Sequence, residues 1–267
     1  MSSSLIQCQY KTNLHDMQFH FHTDYEIIYV TDGQAKITVS GMEILMEKGD
    51  MIFLNKNANH NVCITQSPYK RYVATISSKE FDKQFAGSEL FSLFKYSPNQ
   101  NHHHIQTASF YDMTQLFDKI ILESQKAPDN YTGTLITSYL QEILIYAWRL
   151  SSDKYIINDD IQSKVLKVQN ILETKYPLNI TIEEICKELY ISTYYLTRSF
   201  TKYIGISPKQ YLIQIRLNNA GNLLKNTSLS IAEIAEKSGF QSPSNFIAYF
   251  KKYFGITPKK FRNFQNE

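Results

Sequence analysis

The sequence predicts a multidomain β + α protein: an antiparallel β-barrel with a helical hairpin, followed by an all-α domain. Three observations carry this. Residues 18–77 hold short apolar runs separated by Gly, Asn and Asp turns, the mark of an antiparallel sandwich or small barrel. Beyond about residue 160 the apolar period is helical almost throughout. Within that second part a unit of about forty residues occurs twice, at an offset of 50.

The 267 residues suit two domains of ordinary size, and a hydrophobic share of 43% is enough for real cores. That composition argues against global disorder. No apolar run approaches the roughly 20 residues of a membrane span. The N-terminus carries His15, Lys11 and Asp16 and no apolar h-region. Neither a membrane segment nor a signal peptide is therefore expected. Cys8, Cys63 and Cys186 are isolated and odd in number, which fits a reducing, cytoplasmic setting. The net charge of +3 is unevenly spread. Residues 1–160 carry 13 Lys and Arg against 18 Asp and Glu, while residues 161–267 carry 15 against 7. All seven histidines lie in the acidic part. Two domains with different partners are expected, over 1–152 and 163–267, with a polar linker at 153–162. The basic domain is the candidate for nucleic acid.

In the acidic part, strands are expected at 26–30, 35–39, 43–46, 51–54 and 71–76, with Asp32-Gly33 as a hairpin signal. Phe81 with Phe85, and Leu90 with Phe94, have the spacing of short helical pieces. Longer helices are expected over 113–125 and 135–150, separated by Ala127-Pro128-Asp129-Asn130. In the second of these, Ile136, Tyr139, Leu140, Ile143, Leu144, Ala147 and Leu150 approach a 3.5-residue repeat. That broad apolar face is expected to form a homodimer seam rather than only to cover the barrel.

In the basic part, Leu196, Phe200, Lys202, Tyr203, Gly205, Ile206, Pro208 and Lys209 match Phe246, Phe250, Lys252, Tyr253, Gly255, Ile256, Pro258 and Lys259. Upstream, Thr181-x-x-Glu184 and Ser230-x-x-Glu233 are both capping boxes, which satisfy unpaired N–H groups at a helix start. Ser192 and Ser242 cap a second helix in each unit, Pro243 suits its first turn, and Gly205 and Gly255 end it. A short helix, a tight turn and a helix of about twelve residues is the helix-turn-helix pattern. The two units are expected over about 181–204 and 230–254.

At about 100° per residue, Leu196, Phe200, Tyr203 and Ile204 share one side of the first unit's second helix. Thr193, Tyr194, Thr197, Arg198, Thr201 and Lys202 form the opposite, candidate DNA-binding side. In the second unit, Phe246, Phe250, Tyr253 and Phe254 face inward, and Ser242, Ser244, Asn245, Lys251 and Lys252 are the candidate DNA-binding residues. Arg198 suits direct readout, because its fork pairs with guanine O6 and N7. The lysines suit phosphate. Ala248 stands in the place of Arg198 and Ile247 in that of Thr197, so the first helix is expected to read sequence more sharply. A connecting helix over 207–226, at about 1.5 Å per residue, spans about 30 Å. That is close to the ~34 Å between successive major-groove faces.

These residues resemble the AraC/XylS family of bacterial transcription regulators over about 163–264. The most specific part is Gly239-Phe240, Ser242, Phe246, Phe250-Lys251-Lys252, Phe254-Gly255, Thr257-Pro258 and Phe261-Arg262. Phe261 stands where the family usually has Tyr. The resemblance implies a seven-helix domain with two helix-turn-helix units, and an N-terminal half that senses a ligand or mediates dimerisation.

In the N-terminal part, His20-x-His22-x3-Glu26-x6-Gly33 and Gly49-x10-His60 resemble the two cupin motifs, so the barrel is expected to be cupin-like. Residues 20, 22 and 26 share strand parity, and His20, His22, Glu26 and His60 form the candidate ligand pocket. Their chemistry would suit Fe, Mn, Ni or Zn. The same groups could instead hydrogen-bond within the barrel or contact an organic effector, and no metal or other cofactor is assigned. The run His102-His103-His104 is expected in a loop.

The expected function is sequence-specific recognition of double-stranded DNA by a non-enzymatic, cytoplasmic transcription regulator, with activation the commoner role in the family. A small-molecule effector, a homodimer and contact with RNA polymerase are the expected partners. Alternatives are a constitutive regulator with a purely structural dimerisation domain, or a metal-dependent cupin enzyme tethered to DNA.

Overall fold

Two long strands organise the N-terminal part of the computed structural model: β3 (Tyr25–Val39) and β6 (His60–Ile76). They pair antiparallel along most of their length, from Tyr25 opposite Ile76 to Val39 opposite His60. The structure describes residues 5–13, 17–20, 24–39, 42–56, 58, 60–85, 88–95, 104–107, 111–155 and 160–264. Chain contacts divide it into two units, Met1–Ile156 and Ile157–Glu267.

In the first unit β1 (Ile6–Asn13) and β2 (Met17–His20) pair with β6, β4 (Met42–Met46) and β5 (Asp50–Leu54) pair with β3, and β7 (His104–Gln106) pairs with β5. All of these pairings are antiparallel. Alternation sends Ile28, Val30, Ile37, Val39, Ile52, Leu54, Val62 and Tyr69 into one apolar cluster inside the sheet. The other face of β3 is buried too. Tyr25 packs on Phe81 of α1 (Ser78–Gln84) and Phe94 of α2 (Ser92–Lys95). Tyr29 and Tyr72 stack on Phe117 of α3 (Thr114–Gln125).

The hairpin expected at Asp32-Gly33 is not formed: β3 runs straight through it. The register with β6 shifts between Val30 and Ala35, and Gly33 has φ 74°. This is a bulge with a left-handed glycine. A Cβ on Gly33 would fall on the Pro68 carbonyl oxygen and lie 2.6 Å from that of Gln66. The glycine therefore serves close approach of two strands, not a chain reversal. The last strand, expected at 71–76, is longer: β6 begins at His60. His104 likewise lies in β7 rather than in a loop, with Nε2 3.0 Å from Asp50 Oδ2, while His102 and His103 fall outside the described residues.

Helix α4 spans Thr132–Tyr155 and packs on α3 as the expected hairpin. Its apolar repeat is used differently from the expectation. Ile136, Leu140, Ile143, Leu144 and Ala147 are all buried within the single chain. Burial of several such side chains at roughly 1.5–3 kcal/mol each fastens the hairpin to its own domain. Of the stretch expected as linker, 153–155 is helix α4 and 160–162 begins α5.

The second unit is helical among its described residues: α5 (Asp160–Lys175), α6 (Ile182–Glu188), α7 (Thr193–Ile204), α8 (Pro208–Asn226), α9 (Ile231–Lys237), α10 (Pro243–Phe254) and α11 (Pro258–Phe264). It has two cores. One joins α5, α6 and α7 to the start of α8 through Leu172, Ile185, Leu196, Phe200 and Ile215. The other joins the end of α8 to α9 and α10 through Leu217, Leu224, Ile234, Phe246 and Phe250. Helix α8 therefore belongs to both and carries the geometry from one repeat to the other.

Candidate functional site

Each helix-turn-helix is set by the caps expected from sequence. Thr181 Oγ1 accepts from Glu184 N at 3.2 Å while Glu184 Oε2 accepts from Thr181 N at 3.0 Å. Ser230 and Glu233 repeat the exchange at 3.2 and 2.7 Å. These bonds hold both glutamate carboxyls below the ordinary carboxylate range. Ser192 Oγ and Ser242 Oγ accept from Tyr195 N and Asn245 N, each at 3.2 Å, and fix the starts of α7 and α10. Both helices end on a left-handed glycine, Gly205 at φ 86° and Gly255 at φ 76°.

With caps and core fixed, the outward faces follow. Leu196 and Phe200 are fully buried on α7, as are Phe246 and Phe250 on α10. Tyr194, Arg198 and Lys202 stand exposed on the opposite side of α7, with Thr193, Thr197 and Thr201 half-buried beside them. On α10, Ser244, Asn245, Lys251 and Lys252 are exposed, and Ser242 is half-buried at the cap. Ala248 is exposed where α7 has Arg198, and Tyr249 is exposed next to it. The two faces thus share a frame and differ in chemistry. The α7 face has a forked cation in mid-helix, and the α10 face has its cations in the last turn.

The turns themselves differ in a way the sequence repeat hides. The left-handed residue is Tyr190 in the first unit (φ 53°) and Gly239 in the second (φ 83°). Tyr190 is 94% exposed. Gly239 is pressed against the segment after α5. A Cβ there would lie 2.5 Å from the Tyr176 carbonyl oxygen and 3.1 Å from Pro177 Cα. Arg216 of α8 donates from Nε to Tyr176 O and from Nη2 to Leu178 O, both at 2.9 Å. Gln241 Nε2 donates to Asn179 Oδ1 at 3.1 Å. The second turn therefore docks onto the first repeat. Sequence reasoning missed this brace, because Arg216 sits inside a helix with no motif around it. Arg262, part of the family-like signature, has a structural role: its Nη2 donates to Leu229 O in the loop between α8 and α9.

The barrel pocket is brought together only in part. Glu26 and His60 are buried and face each other, with His60 Nε2 3.8 Å from Glu26 Oε1 and His60 Nδ1 3.3 Å from Ala58 O. His20 pairs with His60 in register; its side chain and all of His22 fall outside the described residues. A residue not anticipated shares this interior. Arg71 is 1% exposed, donates to Asn13 Oδ1 at 2.8 Å, lies 4.8 Å from the Tyr69 ring centre, and interacts electrostatically with Glu26. Burial lowers the guanidinium's pKa. The signal was a cation inside the apolar run 71–76, a position where a charge needs a partner. Among the described residues there is no group of three or more metal-ligating side chains. A buried guanidinium beside Glu26 also opposes a second cation.

Comparison with known proteins agrees with both halves. A helix-turn-helix domain family matches residues 185–263 and a cupin domain family residues 9–70. The Msm operon regulatory protein of Streptococcus mutans is 27% identical over 246 residues, covering 90% of this chain and 84% of its own. The lactose operon transcription activator of Staphylococcus xylosus is 24% identical over 273 residues, covering 98% and 93%. Among solved structures, ToxT from Vibrio cholerae shares the fold at TM-score 0.61 and 17% identity, covering 97% of this chain and 98% of its own. Another ToxT structure holds an unsaturated fatty acid. No described helix is long and apolar enough to cross a membrane.

Proposed function

Because the chain belongs to the AraC family of DNA-binding transcription regulators, we propose that α7 and α10 are its reading helices and that its N-terminal domain couples a small molecule to DNA binding. The observation that carries the first part is the matched pair of capped helices on one connecting helix. α8 has 19 residues, about 28 Å at about 1.5 Å per residue, which suits two adjacent major-groove segments. Arg198 reads a guanine through its fork, flanked by Tyr194 and Thr197. Thr193, Thr201, Lys202, Ser242, Ser244, Asn245, Lys251 and Lys252 hold phosphates or nearby base edges. The domain division of this reading is 1–152, a linker at 153–162, and 163–267.

Support for the second part is architectural. The barrel interior encloses Glu26, His60 and Arg71, where a polar small molecule could exchange hydrogen bonds; His20 and His22 belong to this candidate pocket by sequence. Relatives named for operon control and activation support an activator, and contact with RNA polymerase is part of this reading. A homodimer would use Leu122, Leu135 and Ile145, which stand exposed on α3 and α4. Ligand occupancy would then shift the population of DNA-competent dimers.

Base-by-base substitution across a selected binding site, read as Kd by fluorescence anisotropy, tests the reading helices. Larger penalties in the segment under α7 than under α10 are expected. Equal penalties in both would overturn the assignment of Arg198 as the sharper reader.

A further inference from the structure

The middle of the α10 face carries no charge. Ile247, Ala248 and Tyr249 stand exposed there, where α7 has Thr197, Arg198 and Ser199. The two helices compare position by position. Both have 12 residues, start on a serine cap and end on a left-handed glycine. Both bury the same pair of positions, Leu196 and Phe200 in one, Phe246 and Phe250 in the other. At about 100° per residue, Ala248 lies midway between Phe246 and Phe250 and points directly away from the core. It is therefore the centre of the exposed face. Ser244 and Asn245 lie one turn before it, Lys251 and Lys252 one turn after it, and all four are exposed.

The surroundings of Ala248 are held in place. The Tyr249 ring lies 6.4 Å from that of Phe240 in the turn before α10, and Phe240 rests on buried Phe246 at 5.2 Å. Asn245 spends its backbone N–H on Ser242 Oγ, so its side-chain amide is the group it offers outward.

A methyl at the centre of a reading face selects among base edges. In the major groove guanine, adenine and cytosine present donors and acceptors, and thymine alone adds a C5-methyl. Closing Ala248 over a polar edge would strip that edge of water and return no hydrogen bond. Closing it over a thymine methyl buries apolar surface on both sides. Alanine is also short, which lets the helix approach the groove floor from which that methyl projects. Asn245 fits the same base pair, because its amide matches adenine N6 and N7. Residues three apart on a helix hold their Cβ atoms about 5–6 Å apart, so the two side chains reach one base pair or two successive ones. The lysines of the last turn are left for phosphate.

We infer that Ala248 reads a thymine through its C5-methyl, with Asn245 on the adenine edge of the same or the next base pair. α10 thus selects an A·T step where α7 selects a guanine. The inference rests on α7 and α10 being the reading helices. It gives the exchange of a cation for a methyl at position 248 a recognition role of its own.

The test uses the full chain and a duplex that it selects from random DNA, with Kd read by fluorescence anisotropy. In the element that keeps its information in Arg198→Ala, each thymine is replaced in turn by deoxyuridine, which removes the methyl and keeps the pairing. One such exchange should weaken binding about fourfold, the value of one buried methyl-sized group. The same exchange should cost Ala248→Gly nothing, and the double-mutant cycle separates this effect from any change in the helix or the duplex. Ala248→Arg should move the preference at that position from thymine to guanine, and Asn245→Ala should flatten the preference for adenine. An element without thymine, or one that tolerates deoxyuridine at every position while Lys251→Ala and Lys252→Ala still weaken binding, would overturn the methyl reading alone. Lysine variants that bind like the parent would take α10 off the DNA and overturn the underlying assignment as well. A deoxyuridine penalty undiminished in Ala248→Gly would overturn Ala248 as its source.

Discussion

Gly239 and Tyr176 meet so closely that a Cβ on the glycine would lie 2.5 Å from the tyrosine's carbonyl oxygen, the same oxygen that accepts from Arg216 Nε. One contact thus joins the second turn, the segment after α5 and the connecting helix. The two repeats are held as one block, and the spacing between their reading helices is set by packing as well as by the length of α8.

Gly239→Ala should lower the melting temperature of the chain. The left-handed backbone alone costs an L residue roughly 1–2 kcal/mol, and the clash with backbone adds to it. Tyr190→Gly, at the equivalent turn with φ 53° and an exposed ring, should be neutral or slightly stabilising. Thermal denaturation of both variants checks this. Similar losses in the two would mean that the brace is not what distinguishes the turns.

Arg198→Ala should cost about 1–3 kcal/mol on the selected site and relax preference at one base position. Lys251→Ala and Lys252→Ala should weaken binding evenly across sequences and reduce the salt slope by about 1 each. Kd measured across a salt series separates the two patterns. An unchanged slope in either lysine variant would remove that residue from the phosphate contacts.

The capping boxes make a pH-dependent contribution. The carboxyls of Glu184 and Glu233 sit below their ordinary range when folded, each held by bonds to its cap residue. Their contribution is present above the unfolded carboxyl pKa and is lost as pH falls through the depressed folded value. Glu184→Gln with Glu233→Gln should therefore lower the melting temperature at neutral pH and match the parent in acid. A gap that stays constant down to acid pH would show that charge plays no part in these caps.

Leu135→Glu with Ile145→Glu should convert a dimer to a monomer in native mass spectrometry without loss of fold, since both side chains are exposed. Ile136→Glu, which buries a charge in the hairpin, should instead unfold the N-terminal unit. A dimer that survives the double exchange would move the seam away from α3 and α4.

The readable parts of this chain were those with local physical causes. Thr181, Ser192, Ser230, Ser242, Gly205 and Gly255 act on neighbours within a few residues, and each does in the structure what its type and spacing imply. Phe200 and Phe250 follow from helical period alone. The features that escaped depend on distant partners. Gly33 has the local chemistry of a hairpin, yet the carbonyl groups of Gln66 and Pro68 make it a bulge. The repeat on α4 has the period of a dimer seam, but its own domain consumes it. Arg71 and Arg216 work through hydrogen bonds to partners from 38 to 58 residues away in sequence, which no local pattern encodes. In the barrel, Glu26 and His60 lie 3.8 Å apart.

Selection from random double-stranded DNA with the full chain, followed by sequencing, tests the central claim most directly. Two enriched elements, spaced by about one helical turn of 10–10.5 base pairs, are predicted, with information in the first collapsing for Arg198→Ala. Recovery of a single element, or of no element above background with the parent chain, would contradict the account of two braced reading helices.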